Sequence, residues 1–187
     1  MNGGSCFDME KAIWIFLGLL TVLSFGISVA FIREKLKIMG EQRDSRKKLT
    51  EPLKDAGDKE NFNYMLQRSY DYYVAYTFFN VAHLLSNTLS ITYTFATLVM
   101  LGSFVENSAP MMLWQILVAL FAVSLIFVNI LLNALSKAQK FLESWRTLDK
   151  EIQECLSVLS CGDATVEKTA IKKVVDKYYE IEKTIKE

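Results

Sequence analysis

From Tyr72 to Ser136 the chain carries no Lys or Arg and one acidic residue, Glu106. Glu106 divides the stretch into two uncharged blocks, Tyr72–Val105 and Asn107–Ser136, with Pro110 close behind. Each block exceeds the roughly 20 apolar residues a helix needs to cross about 30 Å of hydrocarbon. A helix in a soluble core rarely stays uncharged over such a length, because one face normally meets water. The pair predicts a transmembrane hairpin with its turn at Gly102–Pro110.

Another uncharged run, Ala12–Ile32, has Trp14 near one end and is followed at once by Arg33, Glu34, Lys35 and Lys37. A cleaved signal peptide carries basic residues ahead of a shorter apolar core, then a small-residue cleavage site. Here the basic residues come after the run, which predicts a retained first membrane helix. The expected fold is an all-α membrane protein with three transmembrane helices over about residues 12–32, 82–103 and 111–134. A tail, 1–11, lies outside; a helical loop, 33–75, and a C-terminal helical hairpin, 137–187, lie in the cytosol. A composition of 51% hydrophobic and 22% charged residues suits apolar spans alternating with charged helices. Only 2 Pro and 8 Gly argue against a loop-rich or all-β chain.

Arg33–Lys48, with seven basic and three acidic residues, reads as a charged extension of the first helix. Pro52 and Gly57 break the pattern, and Asp58 is the expected N-cap of the next helix. From Lys59 nothing stops that helix before Gly102, a rod of about 65 Å. Its cytosolic half carries Tyr64, Tyr70, Tyr72, Tyr73 and Tyr76, at the depth of an interfacial belt. After Ser136 the helix of the third span is expected to run on through Lys137–Ser160. Along it Phe141, Trp145, Leu148, Ile152, Cys155 and Leu159 recur at helical intervals. Cys161-Gly162 ends it, and Asp163 or Thr165 caps a last helix. There Ile171, Val174, Tyr178, Ile181 and Ile185 keep an a/d rhythm. A coiled-coil seam and an amphipathic helix folded back on its neighbour both fit and bury the same face.

Lys and Arg in short loops set orientation. The tail has one basic residue, the Gly102–Pro110 turn none, and Lys137, Lys140 and Arg146 follow the third span. Tail and hairpin tip outside, loop and C-terminus inside, satisfies every segment.

The second span is rich in polar residues that an inert anchor would not need. Asn80, His83, Asn87, Ser90, Thr94 and Thr97 follow one another at steps of three or four, so all six share a helix face. Asn129, Asn133 and Ser136 form a second polar face at the cytosolic end of the third span, level with Asn80, His83 and Asn87. One account makes these residues interhelical glue, pairing across helices at about 0.6–2 kcal/mol each. Another has the six-residue stripe lining an aqueous path on the axis of an oligomer, since three helices alone hardly enclose water. A bound lipid or small ligand is a third. His83, the single histidine, is either a gating element or a neutral donor to Asn129, Asn133 or a backbone carbonyl. Leu98, Met100, Leu101 and Phe104 gather towards the outer end and, in a pore, could form a dewetting gate.

Catalytic signatures are absent: no phosphate-cradling Gly-rich loop, no G-x-S-x-G, no H-E-x-x-H. The cysteines, Cys6, Cys155 and Cys161, match no zinc or redox spacing, and one histidine cannot build a multi-His metal site. No enzyme activity, metal or cofactor is expected. Zero net charge gives no basis for duplex nucleic acid binding.

The Tyr-rich helix Tyr70-Asp-Tyr-Tyr-Val-Ala-Tyr, the two-span hairpin, and a following helix with Phe141-Leu-Glu-Ser-Trp145-Arg-Thr-Leu148-Asp resemble the SLATT domains over about Asn61–Leu156. Those are bacterial two-span effector modules found beside nucleotide-signalling enzymes in antiphage operons. A membrane effector of the Hailong type, paired with a nucleotidyltransferase that makes an oligonucleotide signal, is one protein the chain resembles, and membrane sensors such as those of Kiwa are comparable. The extra first span departs from the simplest family pattern. The resemblance implies a homo-oligomeric channel, with a tetramer the first guess, in a bacterial inner membrane. An oligonucleotide or nucleotide made by the partner enzyme would gate it. Such a ligand would have to engage the cytosolic helices, where Arg43, Arg46, Lys47, Lys168, Lys172 and Lys173 could meet phosphates. The same cations also suit solvated faces, anionic headgroups or topology. A different class of function, a non-conducting anchor or sensor that recruits a soluble partner, fits the same spans.

Overall fold

The computed structural model describes residues 4–51, 53, 56–102, 109–159 and 164–186. Among them it contains five helices and no strand: α1 (Gly4–Lys48), α2 (Ala56–Gly102), α3 (Ala109–Leu132), α4 (Ala134–Leu159) and α5 (Ala164–Lys186). The chain is all-α, and of the three long rods foreseen in the sequence two, α1 and α2, are uninterrupted helices. The hairpin tip, 103–108, and the Cys161–Asp163 junction lie outside the described residues.

Two boundaries differ from expectation. Helix α2 begins at Ala56, so Asp58 sits inside its first turn rather than at the N-cap. Its carboxylate still complements the positive end of the helix dipole. The second difference is a break between α3 and α4 where a continuous helix was expected. Asn133 adopts φ 43°, and its N–H donates to the Ile130 carbonyl at 3.0 Å. Asn is one of the few side chains that enter the left-handed region readily, and there it caps a helix C-terminus as Gly does. The end of α1 closes differently, in tight three-residue bonds from Leu49, Thr50, Glu51 and Leu53 back to Arg46, Lys47, Lys48 and Thr50, each 3.0–3.2 Å.

The chain forms two compact units, Met1–Phe31 with Asn80–Ala134, and Ile32–Phe79 with Leu135–Glu187. The first holds the apolar helical segments. Helix α1 is long and apolar enough to cross a membrane, and only 6% of its apolar window is buried. Ile15, Phe16, Leu19, Val22 and Leu23 all face outward. Among the described residues no other helix meets the same test, and the apolar part of α3 that is described is the shorter Ile116–Phe127. In α2 the reason is chemical: hydroxyls and amides dilute the hydropathy of a charge-free segment.

The second unit has an ordinary hydrophobic core drawn from three helices. Phe62, Met65, Leu66 and Tyr72 of α2 meet Leu148, Ile152 and Cys155 of α4 and Ile171, Val174, Tyr178 and Ile181 of α5. The a/d rhythm of α5 is thus spent on packing within this chain. Helix α1 joins the unit through polar contacts: Arg46 pairs with the buried Asp149 of α4, and Arg43 Nη1 donates to Gln67 of α2 at 2.9 Å.

Leu148 and Ile152 are both fully buried. Replacing either by Ala is expected to lower stability by about 2–5 kcal/mol, whereas the exposed Lys172→Ala should stay within about 0.5 kcal/mol of the parent. Asn133→Gly should be tolerated, while Asn133→Ile should cost about 1–2 kcal/mol. Thermal unfolding of the full chain in detergent, followed by helical circular dichroism, reads all five variants.

Candidate functional site

In the first unit α2 and α3 run antiparallel, and small hydroxyl side chains fix their register. Ser86 Oγ donates to the Leu125 carbonyl at 3.0 Å, and Ser90 Oγ donates to the Ala122 carbonyl at 3.1 Å. Val118 and Ala122 are buried on α3 and Leu89 and Ala96 on α2. Small residues there let the helices approach closely enough for a hydroxyl to reach a neighbouring backbone. Tyr93 adds an edge-on contact with Phe121 at 5.0 Å and a hydroxyl contact with Thr21 of α1 at 2.9 Å. Thr21 gives its own proton to the Leu17 carbonyl at 2.8 Å, so Tyr93 is the donor to Thr21.

The six-residue stripe therefore divides. Ser90 is buried against α3 and serves as glue, joined by Ser86, which lies off the stripe. Asn87 Nδ2 lies 3.1 Å from His83 Nε2, one turn back on the same helix. Asn80 is half-buried. Thr97 returns its hydroxyl to the Tyr93 carbonyl at 2.8 Å. Asn87, Ser90 and Thr94, with Ile91, Phe95, Leu98 and Ile126, line an open groove of about 370 Å³. The apolar members of its rim on α2 are strongly exposed: Ile91 71%, Phe95 68% and Leu98 61%.

Asn133 and Ser136 are both exposed; the first is occupied with ending α3 and the second follows the break. The side chains of Asn129 and Leu101, and all of Phe104, lie outside what is described. Ser86 was missed because a polar face was sought by register alone, whereas the α2–α3 contact selects residues by size.

In the second unit four of the six cations singled out for a ligand, Arg43, Arg46, Lys168 and Lys173, have partners within the chain. Arg43 bonds Asp44 at 2.8 Å and lies over the Tyr70 ring at 5.0 Å. Arg46 is committed to Asp149, whose other oxygen accepts from Gln153 at 2.8 Å. Lys173 of α5 bridges Glu151 at 2.8 Å and Glu154 at 3.0 Å on α4. Hydrogen bonds to these carboxylates, Glu151 first, push Lys173 up to about 12, and Lys173 in turn lowers Glu154. Lys168 also has a partner, while Lys172 is exposed. Lys47 is the one that opens onto a groove, of about 390 Å³, shared with Lys48, Lys59, Asn63, Asp44 and Glu51.

A further set of polar residues, none of them proposed from the sequence as a site, joins α2 to α5. The Glu182 carboxylate accepts from Tyr72 Oη at 2.8 Å and from Arg68 Nη2 at 3.2 Å. Arg68 Nε donates to Tyr178 Oη at 3.2 Å, and Tyr178 Oη lies 3.3 Å from Tyr64 Oη. The guanidinium sits 5.6 Å from the Tyr64 ring and 5.9 Å from the Tyr178 ring. Burial first, then the adjoining Glu182, raises the Tyr72 phenol; burial and the bond to Tyr64 push Tyr178 up to about 12. The four-residue spacing of Tyr64, Arg68 and Tyr72 was visible beforehand, but nothing in α5 marked Glu182 among its other acids.

No family model, curated protein or solved structure matches the chain.

The raised phenols carry a pH signature. A group whose pKa is raised on folding gives stability that is complete below its unfolded value and is lost as pH climbs through the folded one. From the Tyr178 values the bundle should hold its stability up to about pH 10 and lose it progressively towards about pH 12. Tyr72 and Lys173 act in the same direction. In the Tyr72→Phe, Tyr178→Phe double variant the alkaline decline should be shallower, read as midpoint denaturation temperature against pH.

Proposed function

We propose that the chain is a homo-oligomeric membrane effector whose α2 helices line an ion-conducting pore, gated through the cytosolic helices by a nucleotide-type signal in bacterial antiphage defence. The observation that carries this reading is the groove on α2: Asn87 and Thr94 stay on an open face rimmed by exposed Ile91, Phe95 and Leu98, although α3 already has its own hydroxyl contacts. In hydrocarbon an open face that carries polar side chains is costly unless it meets other polar groups or water. Identical faces from sister subunits around an axis supply both.

Three membrane crossings follow on this reading, by α1, the Asn80–Gly102 part of α2, and α3. Helix α3 contains no charged residue in Ala109–Leu132, and α1 ends in Arg46, Lys47 and Lys48. The positive-inside rule then puts the N-terminus outside and the C-terminus in the cytoplasm of a bacterial inner membrane. Leu98, with Leu101 and Phe104, is the proposed hydrophobic gate, and a tetramer is the proposed assembly. The phosphates of the signal would meet Lys47 and its neighbours Lys48 and Lys59, because Arg43, Arg46 and Lys173 are already paired. The link to defence rests on the SLATT resemblance alone. The exposed apolar face of α1 equally serves a non-conducting anchor that recruits a soluble protein, which is the second reading.

Planar-bilayer recording separates the two. The purified chain should pass current, and Asn87→Leu or Thr94→Leu should reduce it about tenfold or more by removing a polar lining group. Thr88→Leu, off the stripe and bonded to its own Leu84 carbonyl, should leave it near the parent value. A silent bilayer, with or without cyclic and linear oligonucleotides, combined with a soluble protein that co-purifies, would establish the anchor instead.

A further inference from the structure

We propose that Glu182 latches α5 onto α2 and that release of this latch is the step that opens the pore. The proposal rests on the channel reading above and assigns its gating to one contact.

The geometry singles out this contact among those α5 makes. Tyr64, Arg68 and Tyr72 follow one another at four-residue steps, so they form a single row along α2. Tyr178 and Glu182 are likewise four apart on α5 and face that row, with hydrogen-bond distances of 2.8–3.3 Å. These bonds tie α5 to α2. The ties from α5 to α4 are of another kind. Lys173 is 61% exposed and Glu154 49% where they meet, and solvent weakens such a pair, whereas its second partner, Glu151, is 16% exposed. The Lys140 ammonium meets only the last turn, at the Ile185 carbonyl, 3.2 Å away.

A latch built this way suits a switch. Both Arg68 and Glu182 are partly buried, and each would be well hydrated if α5 swung away. Water therefore replaces much of what the pair loses, and such a pair contributes direction and register more than net stability. Removing one partner acts differently, because the other is left uncompensated. The helix on the receiving side is α2, which continues without interruption from Ala56 to Gly102 and carries the polar stripe on the same 47-residue rod. A change in how α5 holds the Tyr64–Tyr72 row is therefore applied to the helix that bears Asn87 and Thr94.

The core supplies its own reporter. Cys155 of α4 is buried in the cluster that Ile171, Val174, Tyr178 and Ile181 of α5 complete. Burial pushes its thiol up to about 11, so the closed chain should react slowly and an undocked α5 should expose it. The test uses the full chain in lipid nanodiscs and planar bilayers, in a Cys6→Ser, Cys161→Ser background. Glu182→Gln and Tyr72→Phe are the variants, and Glu154→Gln, which leaves Lys173 paired with Glu151, is the control for loss of an exposed pair. The latch predicts that Glu182→Gln speeds maleimide labelling of Cys155 about tenfold, and Tyr72→Phe by less, with helical content unchanged. Glu154→Gln should change labelling less than twofold. Glu182→Gln should also raise the current carried without added nucleotide.

Unchanged Cys155 labelling in Glu182→Gln overturns the latch. Faster labelling in a chain that conducts, with current no greater than the parent's, overturns its role in opening. If labelling rises while every variant and the parent are silent, the pore reading falls and the opening step with it, and α5 remains a releasable clamp. Should Glu182→Gln lose helical content, Tyr72→Phe alone decides, since it removes one hydrogen bond and keeps the aromatic packing.

Discussion

The rest of the structure depends on one helix, α2, whose side chains change character along its length. Helix α2 is 47 residues long without a break. Over its first half it buries Phe62, Met65, Leu66 and Tyr72 in a core shared with two other helices. Over its second half it exposes Ile91, Phe95 and Leu98 and retains no charge. A helix satisfies its own backbone in either environment, so nothing in the main chain has to change along the way. The side chains alone record the change. Charged residues on α2 end at Asp71, and beyond it polarity is carried by neutral amides, hydroxyls and one imidazole.

That division explains how polar groups are used. In the charged unit they appear as partnered ions: Arg46 with Asp149, Arg68 with Glu182, Lys173 with Glu151 and Glu154. Long side chains reach across wide helix separations and leave the apolar core intact beneath them. In the apolar unit they appear as short hydroxyls bonding to carbonyls, as Ser86 and Ser90 do with α3. A carbonyl already used by its own helix can accept a second hydrogen through its other lone pair. Serine is small enough to reach it without holding the helices apart. The larger Asn87 and the branched Thr94 do not fit such a contact and remain on the groove.

The fold was legible to the extent that it depends on long-range composition. The charge-free runs, the uninterrupted α2 and the amphipathic α4 and α5 are properties of many residues together, so one unusual position does not erase them. What could not be read hinges on single residues. Asn133 looked like one more member of a polar face, yet its tolerance of positive φ ends α3 there. Asp58 had the chemistry of an N-cap, but the helix starts two residues earlier. Pairing was equally hidden: seven basic residues between Arg33 and Lys48 suggest available cations, and only three-dimensional contact reveals that Arg43 and Arg46 have partners. The stripe lay between these cases. Its shared face was evident from spacing, whereas which members look at α3 and which at the groove depends on the angular position of a neighbour no local pattern specifies.

On the proposed channel reading, the same reasoning favours a switch at α5 over one on the stripe itself. Polar groups in an apolar surrounding are costly to leave without partners, so contacts among them are not readily broken and remade. Contacts at a hydrated surface can be exchanged for water at little net cost. A helix that is to be released is therefore better held where water can take over its bonds. The Arg68–Glu182 pair, partly open to solvent and set beside aromatic hydroxyls, meets that condition. On that proposal, exchange of this pair for water would be felt along α2, the helix that also contributes most of the groove.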